Sequence, residues 1–173
     1  MMFGIEEKIP ALIYSEGEFG NLDGKTANGL VRFSEKYEIV GVIDSTREEH
    51  FVQEVLPDVE ERIPIFDDID DALNSLEIKP EAFINGIARD GGAFPFDQKD
   101  VFFKAMENGM NIVHGAHDHI SEMDEFKERA EKYDVDIWDV RKEPDNPHFF
   151  TGKLRDIDFP PRILVSGTDC AIG

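Results

Sequence analysis

The sequence predicts an α/β protein with a Rossmann-like, doubly wound and mostly parallel sheet. Short apolar segments of strand character alternate with segments of helical spacing along most of the 173 residues. Strands separated by helices pair in parallel, and right-handed crossovers then cover both faces of the sheet. The chain is 40% hydrophobic and contains 14 Phe, which argues against a disordered protein and supplies a buried core.

The first two strand–helix units follow from apolar runs and from a helix-start signal. Residues 9–14 are a short apolar run that a Ser-Glu-Gly sequence ends, and apolar side chains at helical spacing follow in residues 26–36. Residues 38–44 are β-branched and almost uncharged, which makes them the clearest strand. The capping-box sequence at residues 45–48 predicts a helix that begins directly after this strand.

The next two units show the same alternation. Residues 63–66 form a short predicted strand, after which Asp67 is placed to cap a helix. Residues 82–86 are a fourth strand, and a helix is predicted over residues 97–108. Gly109 lies just past this helix, where a glycine commonly ends one.

The last unit precedes a break in the pattern. Residues 111–115 are a fifth strand, and a second capping box at residues 121–124 predicts a helix that runs to Tyr133. Residues 135–140 are a sixth strand. Residues 141–161 are polar and contain four prolines, which is typical of a linker or an excursion at the sheet edge.

A second domain is expected to begin after this break. A new apolar strand starts at residue 163 and enters a loop bounded by two glycines, as P-loops begin. We predict a Rossmann-like domain over residues 1–158 and the start of a P-loop domain over residues 159–173, so that the chain is a fragment. The candidate phosphate-binding residues are Gly167, Thr168, Asp169, Cys170 and Gly173. An ordinary strand and turn is the alternative, because five residues separate the glycines and no P-loop Lys follows.

The charge balance limits the partners of this protein. Thirty-eight acids against 18 Lys and Arg give a net charge of −20, which argues against nucleic acid and anionic membranes as partners. Eleven acids and one base lie in residues 48–77. This run is typical of a solvated face, but a halophilic source or a cation-binding strip at residues 67–71 are alternatives.

The cysteine and hydropathy patterns indicate a cytoplasmic protein. The single cysteine, Cys170, excludes an internal disulfide and is typical of a reducing compartment. No apolar run approaches the length of a membrane span, and Met1 begins no signal peptide.

The turns after the first two strands carry weak cofactor signals. The glycines of the first turn do not form the G-x-G-x-x-G fingerprint, and the acids of that turn would repel a pyrophosphate. Lys25 and Thr26 could meet an anion at the start of the first helix, with help from the helix dipole. Asp44 lies where a Rossmann domain places its ribose-binding acid, although capping a helix is the alternative role.

Two further loops follow the fourth and fifth strands, at the sheet edge where open α/β sheets bind ligands. Gly86 and Arg89 belong to a glycine-rich loop that could hold an anionic ligand or could be a simple crossover. His114, His117 and His119 follow the fifth strand in the spacing H-x-x-H-x-H, which could indicate a metal site. His117 could instead act as a general acid or base, since its pKa suits that task.

Five motifs together resemble a known two-domain family of unknown function, numbered 1611. They are residues 25–30, 42–45, 115–117, 137–141 and 167–173. The resemblance implies a Rossmann-like domain followed by a P-loop domain similar to dethiobiotin synthetase. Some members of this family are D-glutamate N-acetyltransferases that use acetyl-CoA, and others carry labels such as NAD-dependent epimerase. Ala116 and His119 depart from the pattern of the family, which favours His117 over the other two histidines as a shared site residue.

The sequence therefore supports an enzymatic hypothesis and two alternatives. In the first, the chain is the N-terminal part of an acyltransferase or nucleotide-dependent enzyme, inactive alone, in which His117 and Arg141 are catalytic and face the domain cleft. Its cofactor would be acetyl-CoA or a nucleoside triphosphate, with Mg²⁺ possible only in the full-length protein. No other metal is expected, and the partners would be a small molecule, the chain's own C-terminal domain and further copies in a homo-oligomer. The alternatives are a ligand-binding and assembly module without catalysis, and an NAD(P)-dependent oxidoreductase or epimerase.

Overall fold

The structure is a computed structural model that describes residues 7–143. The strands are β1 (Ile9–Tyr14), β2 (Tyr37–Ile43), β3 (Ile65–Phe66), β4 (Ala82–Asn85), β5 (Asn111–His114) and β6 (Ile137–Asp139). The α-helices are α1 (Lys25–Phe33), α2 (Val52–Val55), α3 (Ile69–Ser75), α4 (Lys99–Glu107) and α5 (Asp124–Tyr133). Single 3₁₀ turns lie at Asp90–Gly92, Phe96–Gln98 and Ile120–Glu122.

The six strands form one parallel sheet in the order β3-β2-β1-β4-β5-β6. This is the strand order of a Rossmann sheet, so the predicted fold class is confirmed. The order reverses between β1 and β4, and the loops that follow these neighbouring strands diverge to opposite faces. A crevice opens at such a point, at the carboxyl edge of the sheet.

Both faces of the sheet are buried, as a parallel sheet requires. Alternate residues of β1 show this most simply, because Leu12 and Tyr14 pack on the face covered by α3, α4 and α5. Ala11 and Ile13 pack on the opposite face, against α1 and α2. The first face also holds a cluster of aromatic rings formed by Phe83, Phe94, Phe102, Phe103 and Phe126. Each fully buried ring contributes about 1.5–3 kcal/mol to folding.

The predicted helix starts differ from those observed. Ser45 does not begin a helix, because its hydroxyl donates to Glu16 and not to the backbone. The next helix is the short α2, which begins only at Val52. Ser121 does not cap α5, because its amide donates to Asp139 at 3.1 Å and a 3₁₀ turn precedes the helix. Asp68, one residue after the predicted cap, caps α3 by accepting from the Asp71 amide at 2.8 Å.

The last predicted elements and the domain boundary near residue 158 lie outside the described residues.

Gly109 has a φ of +79° directly after α4 and its cap residue, which confirms its predicted position at the end of that helix. Within residues 7–143, no helix is long and apolar enough to cross a membrane.

Candidate functional site

Two predicted catalytic residues meet at the carboxyl edge of the sheet. His117 follows β5 and Arg141 follows β6, and the Nη1 group of Arg141 donates to Nε2 of His117. Both residues are exposed. The amide of Val140 donates to the His114 carbonyl at 2.9 Å, which continues the ladder between β5 and β6 and fixes where Arg141 leaves the sheet. The two side chains thus form an accessible cation–imidazole pair.

The ring of His117 packs on a pair of glycines in the loop after β4. Gly91 and Gly92 have φ values of +76° and +66°, a conformation that glycine adopts without steric cost. The amide of His117 donates to the Gly92 carbonyl at 2.7 Å. A Cβ on Gly92 would lie 2.7 Å from Nε2 of His117, so the ring packs directly on the glycine.

The same two loops are joined by a carboxylate. Asp118 accepts from the Phe94 amide at 2.7 Å, and the Phe94 ring packs edge-on against His114 at 5.3 Å between centroids. The loop that carries His117 is therefore held from two sides by the loop after β4.

A buried histidine–aspartate pair lies behind the exposed pair. Nε2 of His114 lies 2.6 Å from Oδ1 of Asp139, and both side chains are almost fully buried. Nδ1 of His114 accepts from the Ala116 amide at 3.2 Å, so Nε2 carries the proton and donates to the carboxylate. Burial lowers the pKa of His114, although Asp139 opposes this effect, and the ring is neutral at pH 7. These bonds orient the first residues of the loop that carries His117.

The predicted anion site at Arg89 is engaged by neighbouring side chains. Nη1 of Arg89 lies 3.1 Å from Oδ1 of Asp97, and Nη2 donates to Gln98 at 3.3 Å. An anionic ligand would have to compete with the Asp97 carboxylate for this guanidinium.

Asp44 has a structural role at the end of β2. Its carboxylate is fully buried and accepts from the amides of Gly17 and Phe19 at 2.9 and 3.0 Å. It also accepts from the Thr46 amide and hydroxyl, at 3.1 and 2.7 Å. A ribose contact, as predicted for Asp44, would require some of these bonds to break. The carboxylate instead holds the loop between β1 and α1 against the sheet.

The start of α1 shows little provision for a phosphate. Lys25 and Thr26 are exposed there, as predicted, but the Ala27 amide donates to the Gly86 carbonyl at 3.2 Å. Gly86 is a packing residue, because a Cβ at this position would lie 2.7 Å from the Ala27 Cβ. The Ala27 amide, which lies at the helix start where dinucleotide-binding domains bind a pyrophosphate, is thus taken by the chain itself.

The predicted phosphate loop lies outside the residues that the structure describes and stays a prediction. Its candidate residues are Gly167, Thr168, Asp169, Cys170 and Gly173. Among residues 7–143, no group of three or more His, Cys, Asp and Glu side chains is arranged to hold a metal ion.

Sequence reasoning missed Asp139 and Gly92 as parts of this site. The strand register places Asp139 directly beside His114, and each is the last residue of its strand. A polar residue that ends an apolar strand was therefore the available signal for Asp139. Gly92 follows Gly91 directly, and a repeated glycine in a loop is a signal for positive φ values.

Comparison with known proteins places this domain in a family. A family model described as a Rossmann-like domain of unknown function, DUF1611_N, matches residues 45–143. A DUF1611 family protein of Anabaena variabilis of known crystal structure superimposes with a TM-score of 0.74 at 29% identity, over 86% of this chain and 42% of that chain.

One curated protein is also similar. A D-glutamate N-acetyltransferase of a Pseudoalteromonas species is 34% identical over 93 residues, which cover 54% of this chain. The chain spans only about a quarter of that relative, since the match covers 27% of it. The fold, the strand order and the family match over more than half of its length agree, and this chain belongs to the DUF1611_N family of Rossmann-like domains.

Proposed function

We propose that this chain is the Rossmann-like domain of an enzyme that transfers an acetyl group from acetyl-CoA to the amino group of an acidic amino acid. The similarity to a D-glutamate N-acetyltransferase supports this reaction class. The contact between Arg141 and Nε2 of His117 is the observation that carries the proposal, because it joins a carboxylate-binding group to a base.

The pair suits the two demands of the reaction. The substrate carboxylate needs a cation, and the guanidinium of Arg141 can bind it with two parallel hydrogen bonds. The substrate amine must lose a proton before or while it attacks the thioester carbon. Nε2 of His117 accepts a hydrogen bond from Arg141, so its lone pair is available once Arg141 turns to the substrate.

The reaction then balances simply. The amine nitrogen forms a bond to the acetyl carbon, the carbon–sulfur bond of the thioester breaks, and His117 takes the proton that the nitrogen loses. The leaving thiolate of CoA takes up this proton from the imidazolium and departs as the thiol, which returns His117 to its neutral form. The proposed place for the CoA phosphates is the loop of residues 167–173, and a cytoplasmic location would supply acetyl-CoA.

The test uses the full-length protein with acetyl-CoA and D-glutamate, and measures the release of free thiol. We expect His117→Gln to lower kcat about 10²- to 10⁴-fold, as the loss of a general base does. Arg141→Met should raise the KM for D-glutamate and leave the KM for acetyl-CoA nearly unchanged.

A matched control comes from the opposite edge of the sheet. Arg62 lies before β3 and packs on the Phe51 ring at 4.0 Å, so Arg62→Met removes an exposed arginine away from the pair. This variant should retain activity. Absence of thiol release with D-glutamate would refute acetyl transfer to this substrate, and a fully active His117→Gln would refute the assigned base.

A further inference from the structure

We propose that Asp139 sets the geometry of the His117–Arg141 pair, by fixing the loop that carries one member and beginning the turn that carries the other. Asp139 ends β6 directly beside His114, the last residue of β5. Its side chain is buried, so it acts through the exposed pair and not on a substrate. It is therefore a positioning residue, and its effect on kinetics rests on the proposed acetyl transfer.

The side chain of Asp139 holds both ends of the loop between β5 and α5. Its Oδ1 accepts from Nε2 of His114 at 2.6 Å, and Nδ1 of that ring accepts from the Ala116 amide at 3.2 Å. Its Oδ2 accepts from the Ser121 amide at 3.1 Å. His117 lies between these two anchored amides in the sequence. One carboxylate therefore determines the path of the loop on either side of His117.

The backbone of Asp139 begins the turn that carries Arg141. The Lys142 amide donates to the Asp139 carbonyl at 3.0 Å, which closes a turn with Arg141 at its third position. The Val140 amide, inside this turn, donates to the His114 carbonyl at 2.9 Å. The guanidinium of Arg141 thus leaves the sheet two positions after the carboxylate that anchors the other loop, and both members of the pair are placed by one residue.

Burial makes the bonds of the Asp139 carboxylate difficult to replace. The side chains of His114 and Asp139 are 0% and 1% exposed, and the Phe94 ring packs edge-on against the imidazole of His114. Water does not reach such a place, so a donor that loses its acceptor there stays unpaired, which is costly. We therefore expect the loop to shift when one acceptor is removed, and His117 to move with it.

Asp139→Asn tests this arrangement, because an amide keeps the shape of the carboxylate but offers one acceptor atom and one donor group. If the amide oxygen faces His114, the NH₂ group faces the Ser121 amide, which then loses its acceptor. If the oxygen faces Ser121, the NH₂ group donates to Nε2 of His114. The ring proton must then move to Nδ1, and the Ala116 amide loses its acceptor. Each arrangement releases one end of the loop.

The first measurement is hydrogen exchange of the 173-residue chain, followed for each amide by NMR. Asp139→Asn should speed exchange at Ala116 or Ser121 about 5- to 150-fold, as loss of one buried acceptor would. The amides of β1, in the middle of the sheet, should exchange as in the wild type. Unchanged exchange at both loop amides overturns the proposal, and so does an equal acceleration in β1, which would indicate a general loss of stability.

The second measurement is thiol release by the full-length protein with acetyl-CoA and D-glutamate. Asp139→Asn should lower kcat roughly 10- to 100-fold, as misplacement of a reacting group does, and leave the KM for acetyl-CoA nearly unchanged. In a His117→Gln background the same substitution should have little further effect on kcat, because it acts through His117. Equal losses of kcat in both backgrounds would overturn the positioning role. Absence of thiol release by the wild type would refute acetyl transfer alone, since hydrogen exchange still decides whether Asp139 fixes the loop.

A matched control comes from the residue before β6. Asp136 is exposed there, and Asp136→Asn makes the same chemical change in the same segment of the chain. This variant should leave kcat and the exchange of the Ala116 and Ser121 amides unchanged. The proposal is overturned if Asp136→Asn speeds the exchange of these amides as much as Asp139→Asn does.

Discussion

Gly86→Ala tests whether close packing, rather than ligand binding, requires a glycine after β4. A Cβ at this position would lie 2.7 Å from the Ala27 Cβ, 2.7 Å from Ile13 Cγ2 and 3.0 Å from the Tyr14 carbonyl oxygen. These atoms belong to α1 and β1, and none is the end of a flexible side chain. The helix must therefore move away from the sheet. Overpacking of this kind costs about 1–3 kcal/mol of unfolding free energy.

The assay is thermal and urea unfolding followed by circular dichroism. For a chain of this length we expect the midpoint temperature to fall by about 2–12 °C, at about 2–4 °C for each kcal/mol. The matched variant is Gly29→Ala in α1, where a Cβ would contact nothing within 4 Å. It should raise stability by about 0.5–1 kcal/mol, because alanine is the better helix former. Equal stability of Gly86→Ala and the wild type would refute the packing argument.

Three further predictions address the loops and the buried pair. Asp44→Ala should cost about 2–4 kcal/mol in urea unfolding, since buried loop amides lose their acceptor, whereas Asp58→Ala removes only an exposed ion pair and should shift the midpoint little. Burial lowers the pKa of His114 below its value in the unfolded chain, so as the pH falls the unfolded chain binds this proton before the folded chain does. The stability that the neutral His114 contributes is therefore complete above about pH 6.5 and is lost as the pH falls below that value. Urea midpoints at pH 7.5 and 5.5 should therefore differ less in His114→Gln than in the wild type, and an unchanged difference would contradict the assignment. Gly92→Ala should lower thiol release by the full-length protein more than Gly91→Ala, because both glycines have positive φ but only Gly92 contacts the imidazole of His117, the proposed base. Equal losses would show that backbone strain alone is responsible.

The strands could be predicted from the sequence because their signal is local. Residues 9–14 match the observed β1, and the other strands predicted before residue 141 overlap the observed ones. In a domain of this size, a short apolar run flanked by polar residues buries its side chains by forming a strand inside the parallel sheet. The helix starts were less predictable, because Ser45 and Ser121 each meet a partner distant in sequence. Glu16 lies 29 positions from Ser45, and Asp139 lies 18 positions from Ser121.

The sequence by itself determined the fold class, and through family resemblance it selected His117 and Arg141. Only the tertiary structure showed that these two side chains meet, across 24 positions of the chain. It also assigned the Asp44 carboxylate to the amides of the loop after β1. The physical reason is that periodicity records which face of an element avoids water, whereas hydrogen-bond partners depend on strand register and loop closure. Those are decided by the whole sheet and not by neighbours in sequence.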